Sequence, residues 1–551
     1  MLGGVRWLSD ATYGWAYRAF GPDLAWQRLV NAALHGCTGI ALFAFFGRVF
    51  SGVLKEPRWR SFAFVGALVF VVHPVAVYAA GYLMQRSMLL ATLFSVIALA
   101  CALEGLLRRS LPWYTAAAAA YVLALSSKEH AIMLPAVGLV LAVLVRGISR
   151  GALLRLAVWL AVCAVAAAVM ILARRELIGA AYEPFGPAML ARLGVEARMA
   201  LPLSMENQAT LFFRYVATWL LPWPGWMSAD IHTAFPTALL GWPQTAGFAA
   251  WLAWAVAGVA LLARGGRAGL AGFAMLAPWL LSLTEFAVVR VQEPFVLYRS
   301  YLWMIGLPAL VPLLLGPLAP RWRTAAAALA CLALAAGAHE RLRTFRSAFA
   351  LWDDAARKNT DPGAPLVERA LYSRGLVLLD RGELEAARAD FERAVELNPG
   401  SPDAHLTRGT WRLHSGRLAE ALADFDRALA LDPAYASAYN QRCVARARLA
   451  RFEAAVADCR KAVELNPADD VAWNNTGAVY RELGRAADAA ASYEKALALK
   501  PLNASAHYNY GMLLFDSGRR DTGVLGHFVI ACDGGVKDAC DIVRRSRIEK
   551  K

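Results

Sequence analysis

The chain has 551 residues, 58% of them apolar, with 18 Trp, 24 Phe and a net charge of +15. That length allows several domains, but the composition is uneven: up to about residue 340 it is that of a polytopic membrane protein, and beyond it turns soluble and rich in Ala, Arg, Asp and Glu. Much of the positive charge lies in short clusters between apolar segments, which is a loop-orientation pattern and argues against a nucleic-acid-binding stripe.

Residues 1–28 carry Arg6, Asp10, Arg18, Asp23 and Arg28 and lack the apolar core of a secretory leader. Apolar runs follow at about 29–47, 61–80, 87–105, 112–126, 131–145, 156–173, 245–263, 268–285, 301–319 and 324–339. A hydrocarbon core of about 30 Å takes roughly 20 residues, so several runs are short for a crossing. Basic clusters at Arg48 to Arg60, Arg108-Arg109, Arg146 to Arg155, Arg264 to Arg267 and Arg321 to Arg323 mark every second loop as cytoplasmic.

The segments 1–28, 73–86, 127–130, 174–244, 286–300 and everything after 340 are then expected on the opposite, outer side. Parity holds only if the apolar stretch 208–223 is re-entrant or interfacial. An N-terminus already outside implies a further transmembrane helix upstream of Met1.

From residue 367 a 34-residue period sets in, the length of a tetratricopeptide (TPR) unit. Gly375, Gly409, Gly477 and Gly511 recur, with Cys443 in the third place; Ala387, Ala421, Ala455 and Ala489 recur, and Pro399, Pro433, Pro467 and Pro501 end the units. Phe391, Phe425 and Tyr493 are expected to fill the joint to the next hairpin. The fifth unit starts at Gly511 but has Gly523 for Ala and His527 for the aromatic, so it reads as a cap. Residues 341–362, with Trp352 and Pro362, read as a half-repeat.

The sixth position of each unit, on the concave helix, holds Thr407, Gln441, Asn475 and Asn509. Amides there can hydrogen-bond the backbone of an extended protein or peptide without reading its sequence; simple filling of a solvated groove is the plainer alternative.

Cys37, Cys101, Cys163 and Cys331 lie in apolar runs and read as small hydrophobes. Cys443 with Cys459, and Cys532 with Cys540, are placed for two disulfides if that domain faces an oxidising compartment; spacing alone leaves their state open.

Charged and polar side chains gather at the ends of apolar runs on the inferred outer face: Gln85 and Arg86, then Lys128, Glu129 and His130, then Arg214, Asp230, and Glu293 with Tyr298, Arg299 and Tyr301. Headgroup anchoring accounts for Arg, Lys and Tyr there. It does not account for Glu129 or Glu293, which gain nothing from anionic lipid and are expected to pair with Lys128, Arg86 or Arg299 across a polar cavity. Arg and Lys around such a cavity suit a lipid phosphate, and a carboxylate beside them can take the proton of an attacking hydroxyl. His73, before Pro74, is expected to pack at a helix end. There is no clustered His/Cys ligand spacing, Gly-rich phosphate loop or dinucleotide fingerprint.

The runs HPVAVYAAGYLMQRSMLLATLF, SSKEHAIMLP and EPFVLYRSYLW, in that order and followed by TPR repeats, resemble the transmembrane-and-TPR-containing glycosyltransferases of the GT-C class, whose eukaryotic members are protein O-mannosyltransferases. The resemblance covers nearly the whole chain. It implies an all-α fold, a polytopic GT-C-like transmembrane domain followed by a TPR solenoid. The domains would be 1–28, a partial first outer loop; 29–339, transmembrane; 340–366, linker; 367–514, repeats; and 515–551, capping helices.

It further implies a polyprenyl-phosphate sugar donor and a protein acceptor on the TPR concave face, in a bacterial inner membrane with the repeats in the periplasm. Arg86, Lys128 and Arg299 would hold the donor phosphate, and Glu129 and Glu293 would orient those cations or line the sugar site. His73, Gln85, His130, Arg214, Asp230, Tyr298 and Tyr301 would line the cavity. No cofactor is required, and a divalent ion held by Asp or Glu is left open.

Tyr298 and Trp303 stand where the family commonly has His and Pro. The family's acidic residue of the first outer loop has only Asp10 and Asp23 as counterparts in RWLSDATYGWAYRAFGPD, with Asp10 the candidate base. The alternative function class is a non-catalytic membrane-anchored TPR scaffold for pili, polysaccharide export or envelope assembly.

Overall fold

Proline decides where several of the apolar runs stop being helices. The computed structural model describes residues 6–21, 23–54, 58–147, 150–173, 175, 178–180 and 186–548. Among them the regular structure is helical, and the chain divides into two compact units, Met1–Val367 and Glu368–Lys551.

In the first unit, Asp23 caps the helix Leu24–Val53 by accepting from Ala25 N at 2.8 Å. The run expected over 61–80 is broken: the helix Trp59–Val71 ends before His73-Pro74, since a residue preceding proline is driven out of helical geometry. Chain direction is recovered through Ala76–Ala80, a 3-10 turn at Leu83–Gln85, and the helix Arg86–Arg108.

The run 301–319 is likewise broken into a 3-10 stretch, Trp303–Leu310, and a short α-helix, Val311–Leu315, with Pro308 and Pro312 removing backbone donors. The stretch 208–223, expected to be re-entrant or interfacial, is largely the second half of a 24-residue helix, Ala197–Leu220, that buries Phe212, Tyr215 and Trp219.

Among the described residues six helices are long and apolar enough to cross a membrane: Leu24–Val53, Arg86–Arg108, Glu129–Arg146, Gln244–Arg264, Gly266–Ala287 and Pro320–Thr344. Trp59–Val71, Trp159–Ala173 and Trp303–Leu315 are apolar but shorter. One core joins all of these but Pro320–Thr344, built on Phe45, Phe46, Phe70, Tyr121, Trp159 and Trp303.

The second unit is a run of antiparallel hairpins, beginning with Arg369–Asp380 and Leu384–Leu397 and repeating through Ala504–Asp516 and Thr522–Asp533, with Lys537–Ile548 closing it. Between paired helices the chain turns through a left-handed residue at Gly382, Gly416, Ala450, Gly484 and Gly518. Four of the five are Gly, which takes positive φ without a Cβ clash.

The aromatics pack within their own hairpin rather than toward the next. A Cβ on Gly375, Gly409 or Gly477 would come within 2.7, 2.6 and 2.6 Å of Phe391, Phe425 and Tyr493. In the third hairpin Cys443 and Cys459 occupy the same two places and form a disulfide, Cα–Cα 5.3 Å; Cys532 and Cys540 form the other, 4.6 Å. The fifth hairpin keeps the joint by moving the aromatic one place, so that Phe528 rather than His527 lies over Gly511.

A buried ion pair repeats with the same period. Arg374 binds Asp390, Arg408 binds Asp424 and Arg442 binds Asp458, with Nη2 to Oδ1 distances of 2.6, 2.6 and 2.7 Å. The fourth hairpin has Thr476 and Ser492 instead.

Candidate functional site

Three chain segments bring charge to one place in the first unit. Lys128 follows the last turn of Leu111–Ser127 and leads into the 3-10 turn Glu129–Met133; Gln85 ends the turn before Arg86–Arg108; and Glu293, Tyr298 and Arg299 lie on the irregular stretch after Gly266–Ala287. With Arg6, at the start of the helix Trp7–Phe20, they line a cavity of about 320 Å³.

Arg6 clamps Glu129 with both branches, Nε to Oε2 at 3.0 Å and Nη2 to Oε1 at 2.5 Å. Glu285 is 2% exposed. Arg290 Nε donates to its Oε2 at 3.2 Å, Arg299 Nη1 is 3.8 Å from the same oxygen, and His130 Nε2 lies 2.8 Å from Oε1 without hydrogen-bond geometry. Arg299 Nη1 also donates to the Glu293 carbonyl at 2.7 Å, with Nη2 3.8 Å from the Glu293 carboxylate.

Lys128 is buried, its Nζ 3.4 Å from Gln85 Oε1 and 5.4 Å from the Tyr298 ring centre. Burial, then the charge of Arg6, pulls its amine down to about 8. Glu129 and Glu293 are about equally exposed, but Glu129 is gripped by both branches of Arg6 while Glu293 stands 3.8 Å from Arg299 Nη2. Cations outnumber acids around a space that admits a small anion, and an open carboxylate stands beside them.

The structure therefore brings together Gln85, Lys128, Glu129, His130, Glu293, Tyr298 and Arg299. It sets the other expected residues elsewhere. Arg86 is fully buried and spent on neutral oxygens: Nε donates to Asn31 Oδ1 at 2.9 Å, Nη1 to the Thr12 carbonyl at 3.1 Å, and Nη2 to Gln27 Oε1 at 2.7 Å, with the guanidinium 4.1 Å from the Tyr13 ring centre. These bonds take four of its five N–H donors and make it a clamp on the N-terminal helices, away from the lining of the cavity.

Tyr301 is buried against His35 Nδ1 at 2.7 Å, and Arg214 lies over Phe295 at 4.4 Å. Asp230 binds His232 Nε2 at 3.1 Å and His73 Nε2 donates to the Trp219 carbonyl at 2.9 Å. Asp10 is exposed on the first turn of Trp7–Phe20 and does not line the cavity.

Arg6, Glu285 and Arg290 belong to the network without having been expected there. Glu285 carries a sequence signal: it is the first charge after the uncharged run 268–284. Among the described residues no three of His, Cys, Asp and Glu are grouped to hold a metal.

On the repeats, Asn475 Nδ2 donates to Asn440 Oδ1 and Asn509 Nδ2 to Asn474 Oδ1, each at 2.9 Å, so two of the four expected groove residues link adjacent hairpins. Thr407 Oγ1 turns back to the Asp403 carbonyl at 2.8 Å, leaving Gln441 and the two asparagines as the polar row.

Family models described as tetratricopeptide or TPR repeats match residues 322–402, 402–435, 436–469, 459–491 and 477–518. No curated protein matches the chain. Among solved structures, a thermophilic TPR protein of Thermus thermophilus is 27% identical, covering 33% of this chain and 97% of its own, with TM-score 0.30. The pilF protein of Pseudomonas aeruginosa is 25% identical over 31% of this chain and 77% of its own, with TM-score 0.29. YrrB, a TPR protein with an unusual peptide-binding site, is 22% identical over 32% and 91%, with TM-score 0.26. The second unit of this chain is thus built of tetratricopeptide repeats.

Proposed function

We propose that the chain is a membrane glycosyltransferase that moves a sugar from a polyprenyl-phosphate donor to a hydroxyl of a protein acceptor held by the TPR repeats. The observation that supports it is the cavity at the helix ends where Lys128 and Arg299 stand beside the open carboxylate of Glu293. In this reading Lys128 and Arg299 hold the donor phosphate, while Glu129 is fixed by Arg6 and shapes the site.

The acceptor oxygen attacks the anomeric carbon and its proton passes to Glu293. The bond from that carbon to the phosphate oxygen breaks, and the polyprenyl phosphate leaves with the electron pair, its charge met by the two cations. The two disulfides of the second unit support a reading in which that unit faces an oxidising compartment, the periplasm of a bacterium, with the first unit in its inner membrane. The polar row of Gln441, Asn475 and Asn509 is offered as the acceptor contact.

A non-catalytic membrane-anchored scaffold is the second reading, favoured by the bidentate closure of Glu129 on Arg6. Intact-mass comparison of envelope proteins from cells carrying the wild type, Glu293→Gln or Arg299→Ala separates the two. The transferase reading expects a hexose- or pentose-sized increment that both variants lose while remaining folded; no increment, or one that persists in both, refutes it.

A further inference from the structure

A second pair of cavities in the first unit shares no lining residue with the one around Lys128. Between Trp59–Val71, Trp303–Leu315 and Pro320–Thr344 runs an apolar groove of about 750 Å³, walled by residues such as Val65, Val69, Leu314 and Ala333. Its one imidazole, His73, adds no open polar group, since Nδ1 accepts from Val75 N at 3.2 Å and Nε2 donates to the Trp219 carbonyl.

At Pro224 and Glu340 the groove meets a polar cavity of about 650 Å³, formed by the last turn of Pro320–Thr344 and the helix Ala348–Lys358. Five basic side chains face three carboxylates there.

All three carboxylates are already taken. Glu340 pairs with Arg341, Asp353 with Arg357, and Asp354 with Arg341 at 3.0 Å and Lys358 at 2.5 Å. Arg343 and Arg346 remain, both exposed, and among the described residues neither guanidinium has a carboxylate or carbonyl partner. An apolar slot thus opens at one end onto two exposed guanidinium groups with no carboxylate at salt-bridge distance among the described residues.

We infer that the groove and the cavity are one site for a membrane lipid with an anionic, phosphate-bearing head, its acyl chain lying in the groove and its phosphate between Arg343 and Arg346. The dimensions agree: Ala327 and Glu340 both line the groove from one helix, and at 1.5 Å per residue they stand about 20 Å apart. One leaflet is about 15 Å of hydrocarbon, half of the bilayer core.

The polar end also carries interface residues. Trp223 and Trp226 are 66% and 45% exposed beside it, in the manner of the aromatic belt at headgroup level. Arginine offers a planar fork of donors that matches phosphate oxygens, which selects an anionic head over a merely apolar guest. This site is independent of the transferase reading.

The test uses the full chain in mild detergent, with binding read by native mass spectrometry against phosphatidylglycerol, phosphatidylcholine and inorganic phosphate. Phosphatidylglycerol is expected to bind at least about tenfold more tightly than phosphatidylcholine, the worth of one charge-assisted hydrogen bond. Arg343→Ala/Arg346→Ala abolishes that preference, and Ala333→Phe, which fills the groove at an exposed position, weakens both lipids. A preference for phosphatidylglycerol that survives the double arginine variant overturns the inference, as does a groove variant that binds like wild type. Inorganic phosphate binding as tightly as the lipid overturns it in favour of a soluble anion.

Discussion

Asp424 is the most heavily engaged carboxylate of the repeats, and replacing it with Asn isolates what the recurring ion pair contributes. The side chain is 3% exposed and receives Arg408 Nη2 at 2.6 Å and Arg412 Nη1 at 2.8 Å. Asp424→Asn keeps the shape and leaves two arginines facing a neutral amide.

Orphaning a buried partner costs about 3–5 kcal/mol, and because each arginine is 19% exposed, water relieves part of it, giving about 3 kcal/mol here. Asp390→Asn removes the carboxylate from one arginine only, Arg374, 22% exposed, and should cost about 2 kcal/mol. Hydrogen exchange of the full chain, resolved to the hairpins Arg369–Leu397 and Pro402–Leu431, measures both as lost protection, about a hundredfold and thirtyfold at 1.36 kcal/mol per decade. A cost for Asp424→Asn within about 0.5 kcal/mol of zero, the range of an ordinary surface change, refutes the reasoning. Equal costs at the two sites refute the orphan-charge account.

Protection at the Asp424 hairpin should also fall in acid. Burial pushes that carboxyl up, but hydrogen bonds from His405 and Arg408 and the charges of Arg408 and Arg412 outweigh burial and hold it below its ordinary value. A depressed carboxyl stabilises fully above its unfolded value near about 4 and loses that contribution as pH falls through the lower folded one, so Asp424→Asn should flatten the acid limb. Gly409→Ala puts a Cβ 2.6 Å from the Phe425 ring and should cost about 1–3 kcal/mol by the same exchange measurement.

Cys443→Ser/Cys459→Ser opens a loop with a sequence separation of 16 and should cost about 3 kcal/mol. Cys443→Gly/Cys459→Phe, which copies the second hairpin, should recover most of that and make the hairpin indifferent to reductant. Glu285→Gln leaves Arg290 and Arg299 facing an amide at a site 2% exposed, costing about 3–5 kcal/mol. An unchanged thermal midpoint in detergent contradicts the network drawn here.

The repeats are legible because their determinants are local. A hairpin closes over about sixteen residues, so the small residue at 375, 409 and 477 and the aromatic at 391, 425 and 493 share the sequence period, and the arginine–aspartate pairs follow it too. The direction in which Phe391 and its equivalents pack is not written in that period; it follows from the close approach of the two helices at each glycine. In the first unit the apolar runs place the helices, but prolines at 74, 308 and 312 shorten or tighten them.

Arg86 and Arg299 show why the charged site is only half legible. In sequence each is a lone cation at the end of an apolar run, with equal claim to a phosphate. What separates them lies far along the chain. Arg86 meets Thr12, Gln27 and Asn31, whose neutral oxygens take four of its five N–H donors. Arg299 meets Glu285 and Glu293, and Lys128, Glu129 and Arg6 join it around the same opening.

A buried cation met by neutral oxygens, with four of its five N–H donors directed at them, is a structural clamp. A cation sharing two carboxylates around a cavity keeps a charge that a ligand can compete for. The distinction rests on which helices pack together, and hydrophobic periodicity carries no information about that.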